Sequence, residues 1–291
     1  MEHVTAKMSS FIRGYHYEEN EYPVFEDSLA KTLLGGDYEQ VAQSMKAELG
    51  FFLPDFSGSP EAGLRQFMDK IIAACVVGRS AFCEKKLKNE IMLGCRQYLV
   101  FGAGFDTFSF RNAEEKLTVW EFDRASLFKE KLARAEKAGL PIRLHAVPCD
   151  LGEISWQKQL LETEFDIDKK TFASMLGLCY YLTKKEYRML LYTLCALVPE
   201  GSAICFDYPT VSGREGVTKP RQLAEGAGEQ MKAEYTYEEM EEMLADSGFL
   251  IYEHLDPDEM TEQYFKDYNA HEPEHAMHAP EGVAYLLAVK K

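Results

Sequence analysis

The chain has 291 residues, with 32 Lys+Arg against 48 Asp+Glu and a formal charge of −16. Hydrophobic residues make up 46% and aromatic residues 12%. That content excludes disorder as the main state and can build a sizeable core, as one large α/β domain or about two smaller ones. The acid excess argues against a nucleic-acid partner, because phosphate contacts need clustered Lys and Arg.

The densest basic run, Lys85-Lys86-Leu87-Lys88, reads as one solvated helix face. The seven thiols (Cys75, Cys83, Cys95, Cys149, Cys179, Cys195, Cys205) are odd in number and lack a C-x-x-C pair. They read as small buried hydrophobes in a reducing compartment. Met1-Glu2-His3-Val4 has no apolar core of signal-peptide type. The longest apolar runs, residues 71–77 and 189–198, fall short of the ~18–20 residues that span a membrane. The expectation is a cytoplasmic protein without a membrane partner.

Residues 1–90 read as a helical N-terminal extension. Asp27 precedes a helical pattern over 28–34 that Gly35-Gly36 stops, and further helices are expected over 59–77 and 80–88. From 91 onward strands and helices alternate. Tyr98-Leu99-Val100-Phe101 runs into Gly102-Ala103-Gly104, and Thr118-Val119-Trp120-Glu121-Phe122 ends at Asp123. A charged helix over 125–138 follows, then a strand over 143–147 before Pro148-Cys149-Asp150. A fourth strand spans 171–176, a helix 184–197, and a fifth strand 202–206 before Asp207-Tyr208-Pro209. Such alternation implies a parallel sheet covered on both faces, with ligands beyond the carboxyl ends of the strands. Gly102, Gly104, Asp123, Asp150 and Asp207 all collect at those ends. A helix over 236–247 and two late strands, 249–254 and 282–289, predict an antiparallel edge. The Gly-rich stretch near 210–235 reads as a lid or a surface insertion.

Missing side chains in Gly102-Ala103-Gly104 let a backbone approach a ligand closely, with amides free to cradle it. Thr107 leaves the G-x-G-x-x-G/A dinucleotide fingerprint incomplete. Asp123 lies where a carboxylate can accept hydrogen bonds from both ribose hydroxyls, or else cap the next helix. Asp150 can accept from an adenine amino group with Leu151 packed on the ring, or serve as a turn Asp. His271-Glu272-Pro273-Glu274-His275 matches H-E-x-x-H, but Pro273 would break the helix a zinc site needs, so it reads as a solvated loop with no metal. No Gly-x-Ser-x-Gly elbow or Walker loop is present.

Leu99-Val100-Phe101-Gly102-Ala103-Gly104-Phe105-Asp106-Thr107 resembles the "LGAGLDT" signature of the leucine carboxyl methyltransferase family. The likeness extends through Val77-Gly78-Arg79-Ser80, Trp120-Glu121-Phe122-Asp123, Cys149-Asp150-Leu151, Gly177-Leu178-Cys179-Tyr180-Tyr181-Leu182-Thr183 and Gly228-Glu229-Gln230-Met231. The resemblance implies a Rossmann-like class I methyltransferase fold over 91–291 and S-adenosylmethionine as cofactor. Carried over, Arg79 pairs with the methionyl carboxylate, assisted by Arg13. Gly102, Ala103 and Gly104 lie under the methionyl part, Asp123 holds the ribose, and Asp150-Leu151 hold the adenine. This chain has Leu176 where the family often has Glu. The implied acceptor is a carboxylate or hydroxyl on a small molecule. A protein C-terminal carboxylate, a nicotinamide-dependent oxidoreductase and a non-catalytic cofactor-binding protein stay open. Tyr181, Asp207, Tyr208 and His16 are candidates for the acceptor side, with no catalytic group fixed.

Overall fold

The computed structural model describes residues 3–153, 155–211 and 231–291. Seven strands form one sheet: β1 (Gln97–Phe101), β2 (Thr118–Asp123), β3 (His145–Pro148), β4 (Thr171–Met175), β5 (Ala203–Pro209), β6 (Phe249–Leu255) and β7 (Val283–Lys290). Their order is β3-β2-β1-β4-β5-β7-β6. β1 to β5 pair in parallel, and β7 runs antiparallel between β5 and β6. The expected mainly parallel sheet with its late antiparallel pairing is therefore present, with the reversed strand one position in from the edge. The strand order reverses direction between β1 and β4, which opens a crevice at their carboxyl ends.

β1, β4 and β5 are buried along their whole length, as expected of strands covered on both faces. The two faces divide by the period of two. Tyr98 and Val100 of β1 pack with Phe11, Leu33, Phe67 and Phe82 of the N-terminal helices. Leu99 and Phe101 face the opposite core, with Trp120, Trp156, Tyr187 and Leu191. On β5 the same alternation sends Cys205 to the first core and Phe206 and Tyr208 to the second. The helices Ala125–Lys137 and Lys184–Leu197 stand where the pattern puts them. The second begins at a reciprocal cap, with Thr183 accepting from the Glu186 amide and the Glu186 side chain accepting from the Thr183 amide.

The expected break between residues 77 and 80 does not occur. The helix Pro60–Phe67 passes through one π turn, Met68–Ile72, into a continuous helix Ala73–Met92. Gly78 is a packing residue: a Cβ there would lie 2.6 Å from the Tyr285 hydroxyl and 2.8 Å from Phe265 Cζ. A first helix, Val4–Glu18, runs over the carboxyl ends of the strands. Of the expected lid segment, residues 212–230 lie outside the described residues, and they include most of Gly228-Glu229-Gln230-Met231. Lys232, just beyond, donates its amide to the Tyr180 carbonyl at 2.7 Å. No helix among the described residues is long and apolar enough to cross a membrane.

Candidate functional site

A cavity of about 740 Å³ opens where β1 to β4 end. Gly102, Ala103, Gly104, Asp123, Asp150 and Leu151 border it, as do Arg79 from the long helix and Arg13 from the first. Eight residues expected from sequence to contact one ligand thus border one cavity, to which the helix Val4–Glu18 contributes further lining residues.

At the β1–β3 end the backbone is shaped by glycine. Gly102 and Gly104 have φ of 69° and 50°, the left-handed region that side chains disfavour. A Cβ on Gly104 would also approach Ala6 of the first helix to 3.3 Å. The amides of this turn are not free as the sequence suggested. Gly102 and Ala103 donate to the Phe122 carbonyl at 2.9 and 3.2 Å, and Gly104 donates to Asp123 Oδ2 at 2.8 Å. Asp123 Oδ1 accepts from the Arg124 amide at 2.7 Å. The carboxylate is therefore locked to the turn, and each oxygen retains acceptor capacity toward the cavity. Asp150 is exposed, with Oδ1 accepting from the Gly152 amide at 2.9 Å. Beside it, burial followed by the Asp123 and Asp150 charges pushes the Cys149 thiol up to about 12.

The β4–β5 end holds a buried ionic cluster. Arg79 Nη1 donates to Asp207 Oδ2 at 3.1 Å, the Tyr180 hydroxyl donates to the same oxygen at 2.9 Å, and the Gly177 amide donates to Asp207 Oδ1 at 2.6 Å. Asp207 is 1% exposed and does not itself border the cavity. Gly177, at φ 62°, lies flat against the guanidinium: a Cβ there would sit 2.7 Å from Arg79 Nη1 and 2.8 Å from Nη2. Burial lowers the Arg79 pKa, but the Asp207 charge outweighs it and holds the guanidinium even more firmly protonated. Cys75 borders the cavity on this side, its thiol pushed up to about 11 by burial.

A second buried carboxylate was not singled out as functional by sequence. Asp27 accepts from Arg13 Nε at 2.8 Å and from the Thr107 hydroxyl at 2.5 Å, with Arg111 Nε 3.5 Å away. Burial pushes its pKa up, but Arg13 and Arg111 reverse this and hold it below the usual carboxylate range. Arg13 also donates Nη2 to the Phe105 carbonyl at 2.9 Å. Its guanidinium therefore braces the glycine turn from behind while its side chain borders the cavity. Thr107, which spoils the dinucleotide fingerprint, is the residue that plugs the turn into this brace.

The other sequence candidates separate. Tyr181 borders the cavity. Tyr208 points to the opposite core and its hydroxyl meets His254 Nε2 at 2.9 Å. His16 is buried away from the cavity, accepts from the Val24 amide at 2.9 Å, and is held neutral by burial, its pKa lowered to about 3. The H-E-x-x-H residues do not converge: His271 stacks on Tyr22 and His275 Nδ1 lies 2.7 Å from Asp69. Among the described residues no group of His, Cys, Asp and Glu is placed to hold a metal ion.

Comparison with known proteins gives a consistent result. YktD of Bacillus subtilis (strain 168), named "Putative S-adenosyl-L-methionine-dependent methyltransferase YktD", is 35% identical over 303 aligned residues, covering 99% of this chain and 98% of the relative. A Mycobacterium marinum (strain ATCC BAA-535 / M) protein named "Putative S-adenosyl-L-methionine-dependent methyltransferase" is 26% identical, covering 80% of this chain and 69% of its own length. Among solved structures, a DUF574 family protein of Streptomyces avermitilis MA-4680 superposes with a TM-score of 0.59 at 14% identity, covering 97% of each chain. The family model described as leucine carboxyl methyltransferase matches residues 6–195, from within the cavity-facing first helix to within the helix Lys184–Leu197 after β4. The chain belongs to the leucine carboxyl methyltransferase family.

Proposed function

We propose that this chain transfers a methyl group from S-adenosylmethionine to an oxygen of a small molecule, a carboxylate or a hydroxyl. It is an S-adenosylmethionine-dependent methyltransferase. The observation that carries the reading is one cavity in which Arg79, Gly102 to Gly104, Asp123 and Asp150-Leu151 meet, although they come from four separate segments. The residues fit the cofactor. Asp123 would take the ribose hydroxyls, Asp150 the adenine amino group, Leu151 the ring face, and Arg79 the methionyl carboxylate. Arg13 would act behind them by bracing the glycine turn.

When bound, the cofactor supplies a methyl group on a sulfonium that is already a good leaving group. The protein's task is then alignment and exclusion of water, and positioning of this kind is worth on the order of 7–11 kcal/mol. The first helix contributes to the cavity lining at the strand ends. Ile72, Val76, Leu176, Pro280 and Val283 border the part away from Asp123 and Asp150. Leu176, where the family often has Glu, makes that part more apolar. The buried carboxylate behind it, Asp207, lies outside the cavity lining and is engaged on both oxygens. An acceptor that arrives ionised needs no general base, so a small carboxylic acid with an apolar body suits this end best.

Small acids and phenols screened for release of S-adenosylhomocysteine, with product identification, test the reading. An oxygen-methylated product is expected. A nitrogen- or carbon-methylated product would refute it, and turnover only on peptides ending in leucine would favour a protein C-terminus.

A further inference from the structure

We infer that Asp207 is a positioning residue that aims the Arg79 guanidinium at the amino-acid end of the cofactor; the inference rests on reading the cavity as an S-adenosylmethionine site. Asp207 came from sequence as a candidate reacting group, and its surroundings assign it another task. The carboxylate is sealed from the cavity and held on both oxygens by three donors that belong to three different elements: the long helix, the turn after β4 and the short helical segment at Tyr180. Such a group neither takes a proton from an acceptor nor touches the ligand. It does fix the guanidinium.

Only Nη1 of Arg79 bonds to Asp207, and the remaining nitrogens make no hydrogen bond among the described residues. The Arg79 side chain is 17% exposed and borders the cavity. One edge of the planar fork is thus pinned and the rest is presented, as bidentate recognition of a carboxylate requires. Gly177 completes the device by giving the guanidinium a flat surface with no Cβ. The arrangement pre-organises a charge that would otherwise sample many rotamers.

The test compares two ligands by calorimetry: S-adenosylhomocysteine, which carries the amino-acid end, and 5′-methylthioadenosine, which lacks it. Asp207→Asn keeps size and can still accept from Gly177, but removes the charge that pins Arg79. Gly177→Ala keeps Asp207 and crowds the guanidinium. In both variants S-adenosylhomocysteine should bind about tenfold or more weakly. Methylthioadenosine should change by no more than about twofold. A parallel loss for both ligands, or no loss for S-adenosylhomocysteine, would overturn the inference. Should Asp207→Asn fail to fold, by circular dichroism, Gly177→Ala decides alone. If the wild-type protein binds neither ligand, the cofactor reading fails first and takes this inference with it.

Discussion

The two ends of the cavity use the same material in different ways. Each is backed by a buried carboxylate clasping an arginine: Asp27 with Arg13 behind the β1 turn, Asp207 with Arg79 behind the β4 turn. At the first end the clasped arginine is spent on a backbone carbonyl, and the residues proposed to meet the ligand are less buried carboxylates seated on a glycine-shaped backbone. At the second end the clasped arginine makes no such backbone contact. Shape and exposed acceptors suit a neutral nucleoside, whereas a single aimed cation suits a charged amino acid.

The heaviest way to break this contrast is Asp27→Asn. It leaves Arg13 and Arg111 without their shared buried anion, and losses of this kind cost about 3–5 kcal/mol. Urea unfolding should show a shift of that size, and one under about 1 kcal/mol would remove Asp27 as the brace of the turn. Next come Asp123→Ala and Arg79→Ala, each expected to weaken S-adenosylhomocysteine by about 1.5–3 kcal/mol, the value of a hydrogen bond to a charged group. They should part company on methylthioadenosine, which only Asp123→Ala should weaken. Wild-type calorimetric values in both variants would mean the site is misassigned.

A probe of a different kind is pH, through His16, which lies on the same first helix as Arg13. Its folded pKa of about 3 lies below the ordinary 6.5, so the unfolded chain takes the proton first. The group therefore costs nothing above pH 6.5 and removes stability as pH falls below it, by up to about 1.4 kcal/mol per pH unit until the folded value is reached. His16→Gln should flatten the stability profile between pH 6.5 and 4.5. An unchanged slope would show that His16 is not the group responsible.

Much of the first end was legible in the sequence because its contacts are local. Asp123 lies 19 residues beyond Gly104 and bonds to it, and the strand ends announce themselves through Gly and Asp after apolar runs. The helix Lys184–Leu197 was legible down to its cap, because Thr183 and Glu186 are three residues apart. The second end was not legible in this way. Arg79 and Asp207 are 128 residues apart, and their pairing follows only from the strand order that sets β5 beside β4. The period of two along β5 does separate Asp207 from Tyr208, and applying it would have set Tyr208 aside. The break expected between residues 77 and 80 failed for a different reason: the glycine in that gap, Gly78, sits inside a continuous helix and clears space for Tyr285.

The two cavity thiols offer a use beyond packing. Cys149 stands at one end and Cys75 at the other, and burial keeps both protonated and slow to alkylate at neutral pH. A maleimide time course followed by peptide mass analysis would then act as a native two-channel footprint. An occupant of the nucleoside half shields Cys149, one of the Arg79 half shields Cys75, and no engineered label is needed to tell them apart.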